Sequence, residues 1–362
     1  MMKENKYAII MAGGIGSRFW PMSRTQHPKQ FIDILGTGKT LIQQTFDRLS
    51  KVCPIQNIYI VTNDIYKDTV LEQLSISSEQ VLCEPARRNT APCIAYAAYK
   101  IHKKNPDALM VVAPSDHLIL QEDEFIKSID IALKAANQND ALITLGIQPS
   151  RPDTGYGYIQ YTEETLESNQ PINKVKTFTE KPELELAKQF IESGDFLWNA
   201  GIFVWSSASI IKSFQKDLKD IHNPFIVAKH LLNSPEEEAF INKTYHTLPN
   251  ISIDFGIMEK AENVYVLPCD FGWSDLGTFG SIYNHLEKDD NLNATLSDNV
   301  LTYNSSNNII HSDSKKLIVV DGLDDYIVVD KDNVLLICKK GNEQNIKQYM
   351  NDAKRLKGEE YV

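Results

Sequence analysis

Five short apolar runs, at residues 7–11, 58–62, 80–83, 108–113 and 141–145, alternate with amphipathic stretches of helical period through the first half of the chain. That alternation leaves few architectures open. Consecutive parallel strands need a long crossover, and the helix that supplies it has to pack back onto the sheet. The expected fold class is α/β, with a Rossmann-like mixed sheet. In such sheets ligands lie beyond the C-terminal ends of the strands, in the loops leading to helices.

From Gly155 the pattern changes. Residues 155–161, 174–180 and 198–205 read as added strands, some of them antiparallel, separated by helical patterns at 183–193, 206–214 and 275–286. Past residue 290 come short β-prone segments at 299–303, 316–320, 326–330 and 334–338, broken by Asn, Asp, Ser and Gly, with a helical end at 342–356. This stretch reads as a small all-β appendix of stacked strands. No strict repeat and no low-complexity linker is visible. The length of 362 residues exceeds what one core usually serves, so two domains are expected, at 1–289 and 290–362.

Three strand ends carry the chemistry. The first is MAGGIGSRFWPMSRTQHPKQF, at residues 11–31. A dinucleotide fingerprint starting at Gly14 would need glycine where Phe19 stands, and a Walker loop ending in Gly38-Lys39-Thr40 would need it at Asp33. Closely spaced glycines nevertheless let backbone N–H groups converge on an anion. Arg18 adds a planar fork and Lys29 a point charge, both suited to phosphate. The plain alternative is a tight turn with solvated basic residues.

The second strand end runs from Cys83 through Glu84, Arg87, Arg88, Asn89 and Thr90 into a helical pattern, with Thr90 as the expected N-cap and Pro92 in the first turn. Glu84 and Asn89 have the donors and acceptors to read a purine edge. Alternatively, Glu84 pairs with the arginines at the surface. At the third end an apolar strand delivers Ser115, Asp116 and His117. A carboxylate there suits Mg²⁺, which takes one or two carboxylates and fills its shell with phosphate oxygens and water; a helix cap is the alternative reading of Asp116.

The formal net charge of −11 argues against nucleic acid or an anionic membrane as partner. Five scattered cysteines with no C-x-x-C spacing form neither a disulfide framework nor a zinc knuckle, which points to a reducing cytoplasm. No apolar run reaches the length of a membrane span or a signal peptide.

Taken together, these loops and the stretches at 178–182, 198–203 and 272–278 resemble the sugar nucleotidyltransferases, and specifically the bacterial mannose-1-phosphate guanylyltransferases. The resemblance covers about residues 5–340. It implies a nucleotidyltransferase domain, a short β-helix-like C-terminal domain, and transfer of GMP from GTP to α-D-mannose 1-phosphate with Mg²⁺. By the same resemblance Gly13, Gly14, Gly16, Ser17, Arg18, Glu84, Asn89, Thr90 and Ser115 hold the nucleotide, with Lys29 near the phosphates. Gly157, Glu180, Asn199 and Gly201 hold the sugar, Lys181 contacts the sugar phosphate, and Asp116 with Asp275 holds the metal. Asp275 also reads as a cap for the helix expected at 275–286.

Enlarged members carry a further isomerase domain; the chain ends before one could begin, so isomerase activity is not implied. The tail holds none of the matched motifs and is expected to serve folding or subunit contact, in a homodimer. A sibling enzyme for another sugar phosphate, such as a heptose, and a non-catalytic GDP-sugar sensor are the competing readings.

Overall fold

Runs of Ile, Val, Leu and Ala leave the central strands without a polar face, and such strands must be covered on both sides. The computed structural model describes residues 3–168 and 170–362. The chain divides into two compact units, the first comprising residues up to Gly13, Thr45–Ser115 and Ile119–Trp273, the second Gly14–Gln44, Asp116–Leu118 and Ser274–Val362.

The strands in chain order are β1 (Lys6–Ala12), β2 (Ile58–Asn63), β3 (Val81–Glu84), β4 (Leu109–Pro114), the two-residue β5 (Leu118–Ile119), β6 (Leu142–Ile147), β7 (Gly157–Leu166), β8 (Ile172–Glu180), β9 (Phe196–Ser206) and β10 (Val264–Cys269). All except β5 form one nine-stranded sheet of the first unit, in the order β3-β2-β1-β4-β9-β6-β10-β8-β7. Its β3-β2-β1-β4 half is parallel, with Ile9 opposite Tyr59 and Val112. Strand β9 runs antiparallel to both β4 and β6, which makes the sheet mixed as expected. The helices Thr90–Lys104, Ser207–Asp217 and Lys219–Val227 cover one face, and Ile94, Tyr99, Phe214 and Phe225 join Ile9, Val61 and Val112 in one buried cluster. Among the described residues no helix is long and apolar enough to cross a membrane.

The second unit has its own core. After the short β11 (Trp273–Ser274) and the helix Phe279–Tyr283 come β12 (Ala294–Leu296), β13 (Val300–Tyr303), β14 (Ile309–Ser312), β15 (Ile318–Asp321), β16 (Tyr326–Lys331) and β17 (Val334–Lys339). They stack as parallel rungs: Ala294 on Ile309 on Ile327, and Val300 on Ile318. Buried asparagines tie the corners together. Asn293 Oδ1 accepts from the Asn308 backbone and side chain, and Asn308 Oδ1 accepts from the Tyr326 backbone. Antiparallel pairing of β16 with β17 ends the stack. The helix Ile346–Lys357 follows, and Ile346 packs with Phe19, Phe279, Ile309 and Ile327 in a second buried cluster.

The five N-terminal runs are strands, as expected, and so are the later runs and the β-prone tail segments. Three expectations are corrected. The helix expected at 275–286 spans only Phe279–Tyr283, because Leu276 takes φ 46° and Thr278 caps the helix reciprocally with Ser281. The cap at the helix Thr90–Lys104 is Asn89, whose side chain accepts from the Thr90 N–H. The tail does repeat: its rungs pair residues 15 and 18 apart, a period blurred in sequence by interchangeable Ile, Val, Leu and Asn. Strand β10 lies outside the runs read as strands; β8 pairs with it only at Tyr265 and Val266, short of Pro268.

Candidate active site

In the second unit the loop after β1 closes on itself before turning outward. Gly16 has φ 61°, and a Cβ there would lie 2.7 Å from Lys29 Cβ and 2.9 Å from Ser23 Oγ, so neither conformation nor space admits a side chain. Ser23 Oγ donates to the Ile15 carbonyl at 2.7 Å and Gln30 Nε2 to the Gly14 carbonyl at 3.0 Å. The 3₁₀ turn Ser17–Phe19 then buries Phe19 and leaves Arg18 exposed.

Gly16, Ser17, Arg18, Lys29, Asp116 and Asp275 line one cavity of about 360 Å³. Lys29 is 3% exposed, and its Nζ donates to Asp116 Oδ2 at 3.1 Å and to the Asp275 carbonyl at 2.7 Å. One buried ammonium thus ties together two aspartates 159 positions apart in sequence. Burial pushes the Asp116 carboxyl up, but Lys29 and His117 outweigh it and hold the group below the usual carboxylate range. Asp116 is therefore ionised. Neither aspartate caps a helix: Asp116 leads into β5, and Gly277 N–H folds back onto Asp275 Oδ1 at 3.0 Å.

This donor set suits magnesium. Two hard carboxylates share the wall, and among the described residues no group of three or more His, Cys, Asp or Glu offers a protein cage of the zinc or calcium kind. Magnesium keeps several waters and takes phosphate oxygens as ligands. One residue in the cavity wall had no signal in sequence: Lys347, on the first turn of the helix Ile346–Lys357. It comes from the tail, which was expected to serve folding or subunit contact.

The first unit holds the other expected residues in two groups. Glu84, at the end of β3, is buried and accepts a hydrogen bond from Tyr245 Oη, with Oε2 lying 3.7 Å from where a Gly13 Cβ would stand. Burial pushes its carboxyl up to about 7 against that hydroxyl. The surface pairing with arginines is not found: Arg87 donates to Tyr66 Oη and Arg88 to the His246 carbonyl. Asn89 lies nearby at φ 66° and ψ −170°, a conformation held almost only by glycine. Thr90 Oγ1 accepts from the Ile253 N–H at 2.8 Å. Ser115 is buried; its N–H donates to the Met11 carbonyl, and its carbonyl accepts from Thr45 Oγ1.

The second group is built on β7, β8 and β9. Gly157 leaves room for Glu180, whose Oε2 would come within 2.5 Å of a Cβ. Lys181, at φ 49°, pairs its Nζ with Glu180 Oε1 at 2.9 Å. Asn199 is fixed on both sides of its amide, Oδ1 accepting from Thr144 Oγ1 and the Gly201 N–H while Nδ2 donates to Asp254 Oδ1 at 2.9 Å. Asp254 is the member of this group that sequence reasoning missed. It lies in a π-helical turn, Asp254–Met258, away from any strand end. Burial, then the nearby Glu180 charge, pushes it up to about 7.

The model of the nucleotidyl transferase family matches residues 7–291, and that of the MannoseP isomerase/GMP-like beta-helix domain matches residues 298–352. The chain is 35% identical to a mannose-1-phosphate guanylyltransferase of Salmonella montevideo, over 98% of this chain and 75% of that protein. It is also 35% identical to the alginate biosynthesis protein AlgA of Pseudomonas aeruginosa, over 95% of this chain and 71% of the other. A crystal structure from Thermus thermophilus, described as a mannose-1-phosphate geranyltransferase, superposes with a TM-score of 0.85 at 26% identity. That match covers 97% of this chain and 99% of that one.

Proposed function

Because the chain belongs to the nucleotidyl transferase family, and within it to the mannose-1-phosphate guanylyltransferases, we propose that it transfers GMP from GTP to α-D-mannose 1-phosphate, releasing GDP-mannose and pyrophosphate. The observation that carries this reading is the cavity where Arg18, Lys29, Asp116 and Asp275 meet at the glycine loop. Cations, a glycine turn and paired carboxylates together suit a triphosphate with its metal.

The reactants define what the protein has to do. An oxygen of the sugar 1-phosphate, already anionic at neutral pH, attacks the α-phosphorus of GTP; the bond from that phosphorus to the β-phosphate oxygen breaks, and pyrophosphate departs with the electron pair. No proton has to be removed from the nucleophile. The obstacle is bringing two polyanions together in line, so positioning and charge neutralisation carry the catalysis.

Arg18 and Lys29 serve the triphosphate in this reading. Glu84 accepts from guanine N1–H and N2–H₂, held in place by Tyr245, with Asn89 and Thr90 on the same segment. Glu180, Asn199 and the backbone at Gly157 and Gly201 meet the sugar hydroxyls, and Lys181 meets the sugar phosphate. A Mg²⁺ held by Asp116 and Asp275 would offset phosphate charge. The five free cysteines support a reducing, cytoplasmic setting. Exposed Leu301, Tyr303, Leu317, Val319, Leu335 and Ile337 in the β-stack support a homodimer.

The test is pyrophosphate release from the purified protein with Mg²⁺, four nucleoside triphosphates and a panel of sugar 1-phosphates. GTP with mannose 1-phosphate is expected to give the largest kcat/KM. Background rates with that pair and clear release with another sugar phosphate would assign the chain to a sibling activity.

A further inference from the structure

Of the basic groups in the phosphate cavity, one is already committed. Lys29 is buried and paired with Asp116, so much of its charge is met within the protein. Arg18 and Lys347 line the same cavity, both are exposed, and among the described residues neither meets a carboxylate. A departing pyrophosphate carries several negative charges. Arg18 and the partly neutralised Lys29 are a small counterweight to them.

Lys347 is held where it is by its neighbours. Ile346 is fully buried in the cluster that also holds Phe19 and Phe279, and the rings of those two lie 5.2 Å apart, edge to face. Phe19 follows Arg18, and Phe279 lies four residues past Asp275. One patch of core therefore fixes the backbone beside all three charged groups. Glu343 adds a second tie, its Oε2 accepting from the Gly280 N–H at 2.8 Å.

We propose that Lys347, supplied by the C-terminal domain, is a third cation of the triphosphate site and binds the pyrophosphate portion of GTP through its departure. The proposal rests on the guanylyltransferase reading above. It makes the β-stack and its terminal helix part of the catalytic machinery as well as of the fold.

The experiment compares Lys347→Met, which keeps the aliphatic stem, and Lys347→Arg, which keeps the charge. The control is Lys354→Ala, on the same helix but outside the cavity. KM for GTP, and KM for pyrophosphate in the reverse reaction, are expected to rise about 10-fold in Lys347→Met, with KM for mannose 1-phosphate and the thermal midpoint unchanged. Lys347→Arg should recover most of the loss, and Lys354→Ala should match the parent. Equal KM values for GTP and pyrophosphate in parent and Lys347→Met would overturn the proposal.

If the parent protein turns over neither GTP nor mannose 1-phosphate, the activity reading fails on its own. Calorimetric titration of the parent and Lys347→Met with Mg²⁺ and inorganic pyrophosphate then decides the matter. About 10-fold weaker binding in the variant supports a pyrophosphate-binding lysine, and equal binding refutes it.

Discussion

At the scale of single residues, the two aspartates of the phosphate cavity differ in what surrounds them. Replacing either with Asn removes one charge from the proposed magnesium site, and kcat at saturating Mg²⁺ should fall about 10²-fold or more in both. Stability should separate them. Asp116→Asn leaves the buried Lys29 ammonium with neutral partners, the Asp275 carbonyl, the Phe19 ring and an amide oxygen, at a cost of roughly 1–3 kcal/mol, less than a fully buried pair because Asp116 is partly open to water. Asp275 meets Lys29 through its backbone, so Asp275→Asn keeps that contact and should keep the thermal midpoint. Normal turnover in both variants would remove the metal assignment. A second contrast concerns pH. Asp254 and Glu84 titrate near 7 in the folded protein, against 3.8 and 4.5 ordinarily. Between about pH 4 and pH 7 the native state keeps protons that the unfolded chain has released. Their contribution to stability is therefore fully present below about pH 4, drains as pH rises, and is lost above about pH 7. Asn at position 254 does not titrate, so Asp254→Asn should raise the thermal midpoint over the parent much more at about pH 8 than at about pH 5. A difference independent of pH would contradict the assignment.

Among elements, the start of the helix Thr90–Lys104 stores strain. Asn89 caps it from a backbone conformation that costs about 1–3 kcal/mol for any residue but glycine. Glycine is nearly as good a cap, so Asn89→Gly should raise the thermal midpoint by relieving more strain than the lost cap contributes. If the side chain serves the base as well, the same variant should raise KM for GTP. An unchanged KM would confine Asn89 to capping. The element also illustrates what could be read from sequence. Strands were legible because buried β1, β2, β4 and β6 spell continuous apolar runs, and the glycine loop stood out because glycines and cations crowd one strand end. Backbone strain leaves no such trace: nothing in the letters Asn89, Lys181 or Leu276 announces a positive φ. Tyr245, Asp254 and Lys347 were missed for another reason. Each reaches its site from an element far along the chain, and only the packing of that element brings it there.

On the scale of the whole molecule, the second unit is assembled from chain segments at 14–44, 116–118 and 274–362. Trp20 Nε1 donates to the Tyr361 carbonyl at 2.6 Å, and Arg24 donates to Asn333 Oδ1 and to the Lys331 and Glu360 carbonyls. Deleting residues 358–362 removes two of these acceptors from the turn that carries Arg18. The truncated protein should unfold at a lower temperature and bind GTP more weakly, with KM for mannose 1-phosphate little changed; titrations of both substrates and a thermal scan decide it. The same bonds set an order in time. Residues 14–44 are synthesised well ahead of their partners, which lie up to 341 positions later, roughly 20–70 s of synthesis away at ordinary rates. For that interval the sheet can gather its strands while the phosphate loop waits without its covering core. A nascent chain of this protein is a binding site in two instalments, and translation of the helix Ile346–Lys357 and the residues just after it completes the loop that follows β1.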